Sequence, residues 1–387
     1  MRIAHVTDFY LPRLGGIEMH VSDLAARQVQ RGHDVTVVTS SPGDTAAADQ
    51  GVRVVRVTDG LRRPRAIHPR APFLGAAVLL SGGFDVVHVH VGVGSPLGFW
   101  GALRTVRAGI PTVVTVHSLW SWAYPIFRTL NSVGGYARAP LRWTAVSEAA
   151  ARPVRRVLGD GVAVSVLPNG IDGAAWRVPR AAREPDEVVL VAVMRLAPRK
   201  RPRQLLRMLA AAQEQVNGQV RLRAVIVGDG PELAAMRGFL RRHAMTTWVT
   251  LAGRQTRDQI RDLYRQADVF VAPADLESFG IAALEARCAG VPVVAKAASG
   301  IAEFVRHAVD GLLVADDADM VRAIVQLCLD PHLRAALTLG CAQPAPVSWT
   351  STLLQTDAAY AEAAVLVGRP PLAQLVLPAL PVGSAAL

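Results

Sequence analysis

Two glutamates eight positions apart, Glu277 and Glu285, bracket a Phe-Gly pair and an otherwise apolar filling in ESFGIAALE. Such carboxylates can serve as an acid/base pair, as two halves of a ligand cradle, or as two charges on a solvated helix. Glycoside hydrolysis needs its carboxylates roughly 5 to 9.5 Å apart. One continuous helix would separate these two by about 12 Å along its axis. Gly280 marks a helix start, which leaves Glu277 in the preceding loop and Glu285 in an early turn, where they could hold opposite ends of one elongated ligand. Spacing alone leaves the hydrolase and cradle readings both open.

A second group of residues could manage charge. In AVMRLAPRKRPRQLLRML, Arg195 ends a strand and Lys200 follows five residues later across a Pro-containing turn, so both cations can converge on one anion. A solvated basic loop is the bland alternative, because Arg199, Arg201 and Arg203 crowd the same turn. Lys200 and Lys296 are the chain's two lysines, so position 200 suits a compact point charge where a guanidinium fork fits poorly. Gly15 and Gly16, between a first strand and a helix, would let backbone N–H groups approach an anion, with the helix dipole behind them. Gly228 and Gly230 in VGDGPE end another strand, and turn geometry alone accounts for them. HVH puts His88 and His90 at a strand end, and TVHS puts His117 at the end of a neighbouring one. Three imidazoles could ligate a metal, but no matching Asp, Glu or Cys cluster accompanies them. A strand-terminal histidine is better suited to donating a hydrogen bond to substrate.

The elements that must position these residues fall into two series. Runs such as RIAHVT, DVTVVT, DVVHVH and TVVTVH in the first half are apolar at most positions, as parallel strands covered on both faces are. The pattern restarts with VVLVAVM, RLRAVIVG, VTLAG, DVFVAP and PVVAK. Two doubly wound α/β domains follow, over residues 1–175 and 186–345, with the turn-rich stretch 173–186 as linker. A helix over 348–367 returns to the first domain, and the Pro-rich tail 368–387 is expected to be disordered. Open α/β sheets bind ligands at the carboxyl ends of their strands, and two such sheets facing across a cleft would put their ligands there.

At 387 residues the chain exceeds one core. Its net charge of +11 favours anionic partners, but only 5% of residues are aromatic and the arginines are dispersed, which argues against nucleic acid. Cys288, Cys328 and Cys341 show no CxxC spacing, which fits a reducing compartment without a disulfide framework. No apolar run approaches the ~18 to 20 residues of a membrane span. The start lacks signal-peptide features, so a cytoplasmic protein is expected. LRRPRAIHPR, residues 61–70, adjoins the apolar APFLGAAVLL and either rests on an anionic membrane surface, at the inner face of the plasma membrane, or is a solvated loop.

Together these motifs resemble the retaining glycosyltransferases of family 4, which have the GT-B fold of two Rossmann-like domains. The likeness runs in order through GGIE, RGHDVTVVT, HVH, TVHS, VSE, VLPNGID, RLAPRK, VGDGPE, ESFGIAALEARCAGVPVVA, SGIAEFV and DGLLV. TDFYLPRLGGIEMHV with TVHSLW looks most like the enzymes that glycosylate inositol lipids: the GPI-anchor N-acetylglucosaminyltransferase catalytic subunit and phosphatidylinositol mannosyltransferases. The resemblance implies transfer of a hexose or N-acetylhexosamine from a UDP- or GDP-sugar to an acceptor hydroxyl on a lipid or carbohydrate, with retention. It implies no cofactor besides this co-substrate and no strict need of a metal.

The same resemblance implies roles. Arg195 and Lys200 would bind the donor diphosphate, Gly16 would offer its backbone N–H to it, and Gly228 would line the nucleotide pocket. The base would lie near Gly253 and Arg254, and Glu285 would hold the ribose. Glu277 would face the sugar beside the backbone N–H groups of Phe279, Gly280 and Ile281, and His117 would touch it near the reacting carbon. Glu18 and His20 would contact the acceptor. Arg201 departs from the family's glycine after the lysine, and ARCAG and KAASG vary its small-residue forms. A glycoside hydrolase or phosphorylase using Glu277 and Glu285, or a non-catalytic nucleotide-sugar-binding protein, are the rival readings.

Overall fold

The computed structural model describes residues 1–43, 50–61, 67–181 and 186–372. Contacts divide the chain into two units. Unit 1 comprises Met1–Ala145, Val154–Leu167 and the chain from Leu353; unit 2 comprises Val146–Pro153 and Pro168–Thr352. In chain order the first series is β1 (Arg2–Thr7), α1 (Gly16–Gln30), β2 (Asp34–Thr39), β3 (Arg53–Arg56), α2 (Ala71–Ser81), β4 (Val86–Val91), α3 (Pro96–Arg107), β5 (Thr112–Val116), α4 (Tyr124–Gly134), β6 (Arg142–Ala145), α5 (Glu148–Leu158) and β7 (Val164–Val166). The second is α6 (Gly173–Trp176), β8 (Glu187–Val193), α7 (Pro202–Val216), β9 (Arg221–Val227), α8 (Leu233–Arg242), β10 (Val249–Gly253), α9 (Arg257–Tyr264), β11 (Val269–Ala272), α10 (Ile281–Cys288), β12 (Val293–Lys296), β13 (Gly311–Val314), α11 (Asp317–Leu329), α12 (Pro331–Cys341) and α13 (Trp349–Leu366). No described helix is long and apolar enough to cross a membrane.

Unit 1 holds a seven-stranded sheet in the order β3-β2-β1-β4-β5-β6-β7, and unit 2 a six-stranded sheet in the order β10-β9-β8-β11-β12-β13. Every pairing within them is parallel. All six residues of β4 are buried, as expected of a strand covered on both faces. Each sheet reverses its winding once: between β1 and β4 in unit 1, and between β8 and β11 in unit 2. At such a point the chain leaves neighbouring strands in opposite directions and opens a crevice beyond their carboxyl ends.

Register decides which side chains share a face. His5 pairs with His88, His90 with Thr115, and Thr115 with Thr144. Side chains repeat every second residue along a strand, so His90 lies on the same face as His88, and His117 continues the face of Thr115. This face of the unit 1 sheet therefore carries an apolar band, with Ile3, Val86 and Val113 in the core, and a polar band one step nearer the carboxyl ends. Val21 and Ala25 of α1 and Tyr360 of α13 pack on the apolar band. Arg31 pairs with Asp357 at 2.6 Å and Gln28 donates to Tyr360 at 3.0 Å, fixing the C-terminal helix within unit 1.

Candidate active site

In unit 2 the residues singled out by chemistry flank the winding reversal. Arg195, exposed, follows β8, and Lys200 closes the short turn Pro198–Lys200 ahead of α7. Glu277 lies in the loop after β11, and its carboxylate is paired with the Lys200 ammonium; both side chains are largely buried. An anion at this point would have to share Lys200 with Glu277. Gly280 caps α10 at φ +90, and a Cβ there would lie 2.5 Å from the Ile301 side chain, so both backbone and packing require glycine. The helix begins at Ile281, leaving Glu277 in the loop and Glu285 one turn inside, buried. Phe279 buries its ring against Phe304, 5.5 Å between centroids, so a ligand could use only its backbone N–H.

The supporting loops pack backbone to backbone. A Cβ on Gly228 would lie 1.8 Å from the Met194 carbonyl oxygen, and one on Gly300 would lie 2.1 Å from that of Ser278. Leu196 donates its N–H to Asp229 at 2.9 Å and Gly300 donates to Glu277 at 2.9 Å. Gly228 thus holds the strand end that presents Arg195, and Gly300 holds the loop that presents Glu277. Arg254, exposed after β10, pairs with Asp229 at 3.1 Å, two strands from the reversal. The α10 helix is anchored by Arg287, buried and 2.9 Å from the buried Asp310 carboxylate; this is the structural role of the arginine in ARCAG.

Arg201 adopts φ +56, the left-handed conformation that favours glycine. Its guanidinium makes a bidentate contact to Asp317, 2.8 and 2.7 Å, and reaches Asp275 at 3.0 Å. These ion pairs offset a backbone strain of about 1 to 2 kcal/mol. Lys296, buried at the end of β12, donates to Asp317 at 2.8 Å. Arg201 chiefly, and Lys296 after it, pull the Asp317 carboxyl down to about 2. Lys296, Asp317, Asp275 and Gly300 escaped the sequence reading; the rarity of lysine was the one signal pointing toward Lys296.

In unit 1 the reversal carries a different chemistry. Gly15 precedes α1, and a Cβ there would sit 2.4 Å from the Glu18 carboxylate, which folds back over the helix start and pairs with Arg13 at 3.1 Å. Gly16 opens the helix. His20, on the buried side of α1, lies 5.6 Å from the His117 ring, centre to centre, and His117 bonds to His90 at 3.0 Å. His5, His20, His88, His90 and His117 are all 6% exposed or less. Burial drives each away from its charged form, His5 to about 4 and His117 to about 3, the others well below the usual value. Burial also raises the Asp8 carboxyl to about 7, against two N–H donors at the start of α3, Leu97 at 3.0 Å and Gly98 at 3.1 Å.

His5, His88 and His90 bring ligand-type nitrogens within 4.8 Å of one another. The expectation of no metal stands beside this group, which the strand RIAHVT did not reveal. Hydrogen bonds to Gln28, His90, Tyr360 and Thr115 already engage the nitrogens of His5 and His88, so an ion would have to displace them.

Comparison with known proteins agrees with this architecture. Residues 14–174 match the family model described as Glycosyltransferase Family 4, and 176–338 match that described as Glycosyl transferases group 1. The chain is 30% identical to the D-inositol 3-phosphate glycosyltransferase of Actinosynnema mirum, over 90% of this chain and 92% of that one. It is 28% identical to the GDP-mannose-dependent alpha-(1-6)-phosphatidylinositol monomannoside mannosyltransferase of Mycobacterium tuberculosis, over 87% and 91%. The crystal structure of Anabaena HepE in complex with UDP and glucose superposes with a TM-score of 0.72 at 20% identity, covering 92% of this chain and 98% of that one. The two doubly wound sheets are those of the GT-B fold, and the hydrolase and non-catalytic readings give way: the chain is a glycosyltransferase and belongs to glycosyltransferase family 4.

Proposed function

We propose that this enzyme transfers a hexose or N-acetylhexosamine from a UDP- or GDP-linked donor to a hydroxyl of an inositol-bearing lipid or related cell-envelope acceptor, with retention. The observation that carries the donor half is the meeting of Lys200, Glu277 and the start of α10 at the winding reversal of unit 2, with Arg195 on the adjoining strand end. As the sugar–phosphate bond breaks, negative charge grows on the diphosphate. Arg195, Lys200 and the N–H groups of Gly280 and Ile281 stabilise that charge where it develops. A departing phosphate oxygen takes the acceptor proton while the acceptor oxygen bonds the anomeric carbon on the same face. Glu277 then orients the sugar, Glu285 the ribose, and Gly228 and Arg254 border the nucleotide. Gly16 serves the diphosphate, His117 the sugar, and Glu18 and His20 the acceptor.

The acceptor half rests on the inositol-linked names of the relatives. A membrane-borne acceptor fits one surface of unit 1, where Phe73 is 62% and Trp100 37% exposed, their rings 5.4 Å apart, with Leu74 and Leu80 exposed on the same helix as Phe73. Within the basic run 61–70, residues 62–66 lie outside the described residues. Assaying UDP- and GDP-sugars against inositol-bearing and inositol-free acceptors tests the reading; transfer indifferent to inositol would refute the acceptor assignment. Sedimentation with anionic vesicles tests peripheral membrane contact at the inner face of the plasma membrane, and no binding would refute it.

A further inference from the structure

Four charged groups of unit 2 meet one and two residues along the chain from the Lys200–Glu277 pair. Arg201 follows β8, Asp275 follows β11, Lys296 ends β12 and Asp317 follows β13, and these four strands are neighbours in the sheet. The Arg201 guanidinium holds Asp317 at 2.8 and 2.7 Å, Asp275 at 3.0 Å and the Pro273 carbonyl at 3.2 Å. The Lys296 ammonium donates to Asp317 at 2.8 Å and lies 3.9 Å from Asp275. Two cations face two carboxylates, so the network adds no net charge to its surroundings.

Each side of the network is tied through the backbone to one member of the pair. Lys200 lies in a single turn, closed by its own N–H on the Ala197 carbonyl and by the Arg201 N–H on the Pro198 carbonyl, both at 2.9 Å. Arg201 ends that turn at φ +56 and at once opens α7, its carbonyl accepting the Leu205 N–H at 3.0 Å. Glycine would make this bend without strain, so the arginine costs backbone energy that its side-chain contacts offset. On the other side, Asp275 stands two residues before Glu277. The Lys296 carbonyl accepts the N–H of Ser299 at 3.1 Å and its hydroxyl at 2.7 Å, and the next residue, Gly300, holds the Glu277 carbonyl at 2.9 Å. Lys296 is 3% exposed, and a cation so deeply buried requires a carboxylate partner.

We propose that Arg201, Asp275, Lys296 and Asp317 form an ionic brace that sets the Lys200 turn against the Glu277 loop, with Arg201 and Asp275 as positioning residues for the group transfer. The brace supplies position and not charge, because its own charges cancel. Arg201 chiefly pulls the Asp317 carboxyl down to about 2, so the brace stays ionised near neutral pH. The transfer rests on the function proposed above; the coupling of Arg201 and Asp275 to Lys200 does not.

The test is a charge-balanced double variant, Arg201→Gly with Asp275→Asn, which removes one cation and one anion and leaves the Lys296–Asp317 pair in place. Lysine labelled with carbon-13 gives two side chains to follow by NMR, since Lys200 and Lys296 are the chain's two lysines, and Lys200→Arg assigns them. The Lys200 ammonium pairs with Glu277 and with neither substituted side chain. Its ε-carbon signal should nevertheless shift or split in the folded, unliganded variant; an unchanged signal overturns the brace. Asp275→Asn alone, at a side chain 55% exposed, puts folding at little risk and should perturb the same signal, and its failure to do so counts equally against the brace. In transfer assays the double variant should lose about tenfold in kcat, the effect of misplacing a group by a fraction of an ångström, with donor KM within about twofold. Wild-type kcat in the folded variant, or a loss confined to KM, overturns the positioning role. A wild-type chain that transfers no sugar would instead refute the proposed function, and the lysine signals would still decide the brace.

Discussion

The two winding reversals use one topological device for opposite chemistry. In unit 2 the crevice end is ionic and partly open: Lys200 against Glu277, Arg201 and Lys296 against Asp317, Arg195 exposed. In unit 1 it is neutral and closed: five histidines at 6% exposure or less, with Gln28 and Tyr360 beneath them. Charge kept near water can meet a diphosphate without a large desolvation penalty, whereas buried neutral dipoles can discriminate hydroxyls by geometry. A nucleotide sugar presents both kinds of group.

The contrast can be broken most severely in unit 2. Lys200→Ala or Glu277→Ala is expected to lower transfer by about a thousandfold or more, as loss of charge stabilisation in a transition state does, with the thermal melt still cooperative. Full activity in either would remove the ionic site from the account.

The neutral site should show itself as an acid weakness. These five histidines, and the buried His33 with them, regain their protons on unfolding below pH 6.5, so each makes stability rise with pH, from its lowered native value up to 6.5, by about 1.4 kcal/mol per pH unit at most. Asp8, raised to about 7, acts in the reverse sense between 3.8 and 7 and cancels one of them. Urea unfolding at pH 5, 6 and 7 should therefore show stability climbing steeply; a flat profile would mean that the histidines are not held neutral.

Smaller effects sharpen the picture of how each site is held. Gly228→Ala sets a Cβ against the Met194 carbonyl at φ +137 and should cost about 3 kcal/mol in urea unfolding. Arg201→Gly relieves the left-handed strain but gives up the Asp317 pair, and should change stability by less than about 1 kcal/mol.

The fold was legible because its signals are local and repeated: apolar strand runs, glycines at strand ends, and a restart midway. Glu277 and Lys200 were legible as types, yet their mutual pairing was not, since a 77-residue separation leaves no periodic trace. His88, His90 and His117 stood out, but His5 read as one position of a mostly apolar strand and Gln28 and Tyr360 fell within helical stretches that drew no attention. Only the strand register and the packing of α13 bring the three together. Arg201 read as a departure from a motif; that an aspartate 116 residues away supports it could come from the structure alone.

The proposed role of the Lys200 and Glu277 site of unit 2 is to receive the donor's diphosphate. Titration calorimetry of UDP and GDP into the wild-type chain and Lys200→Ala tests it most directly. The expected result is binding of one of the two by the wild type and at least a tenfold loss of affinity in the variant, as removal of a charge-assisted contact requires. Equal affinity in the two proteins would contradict it.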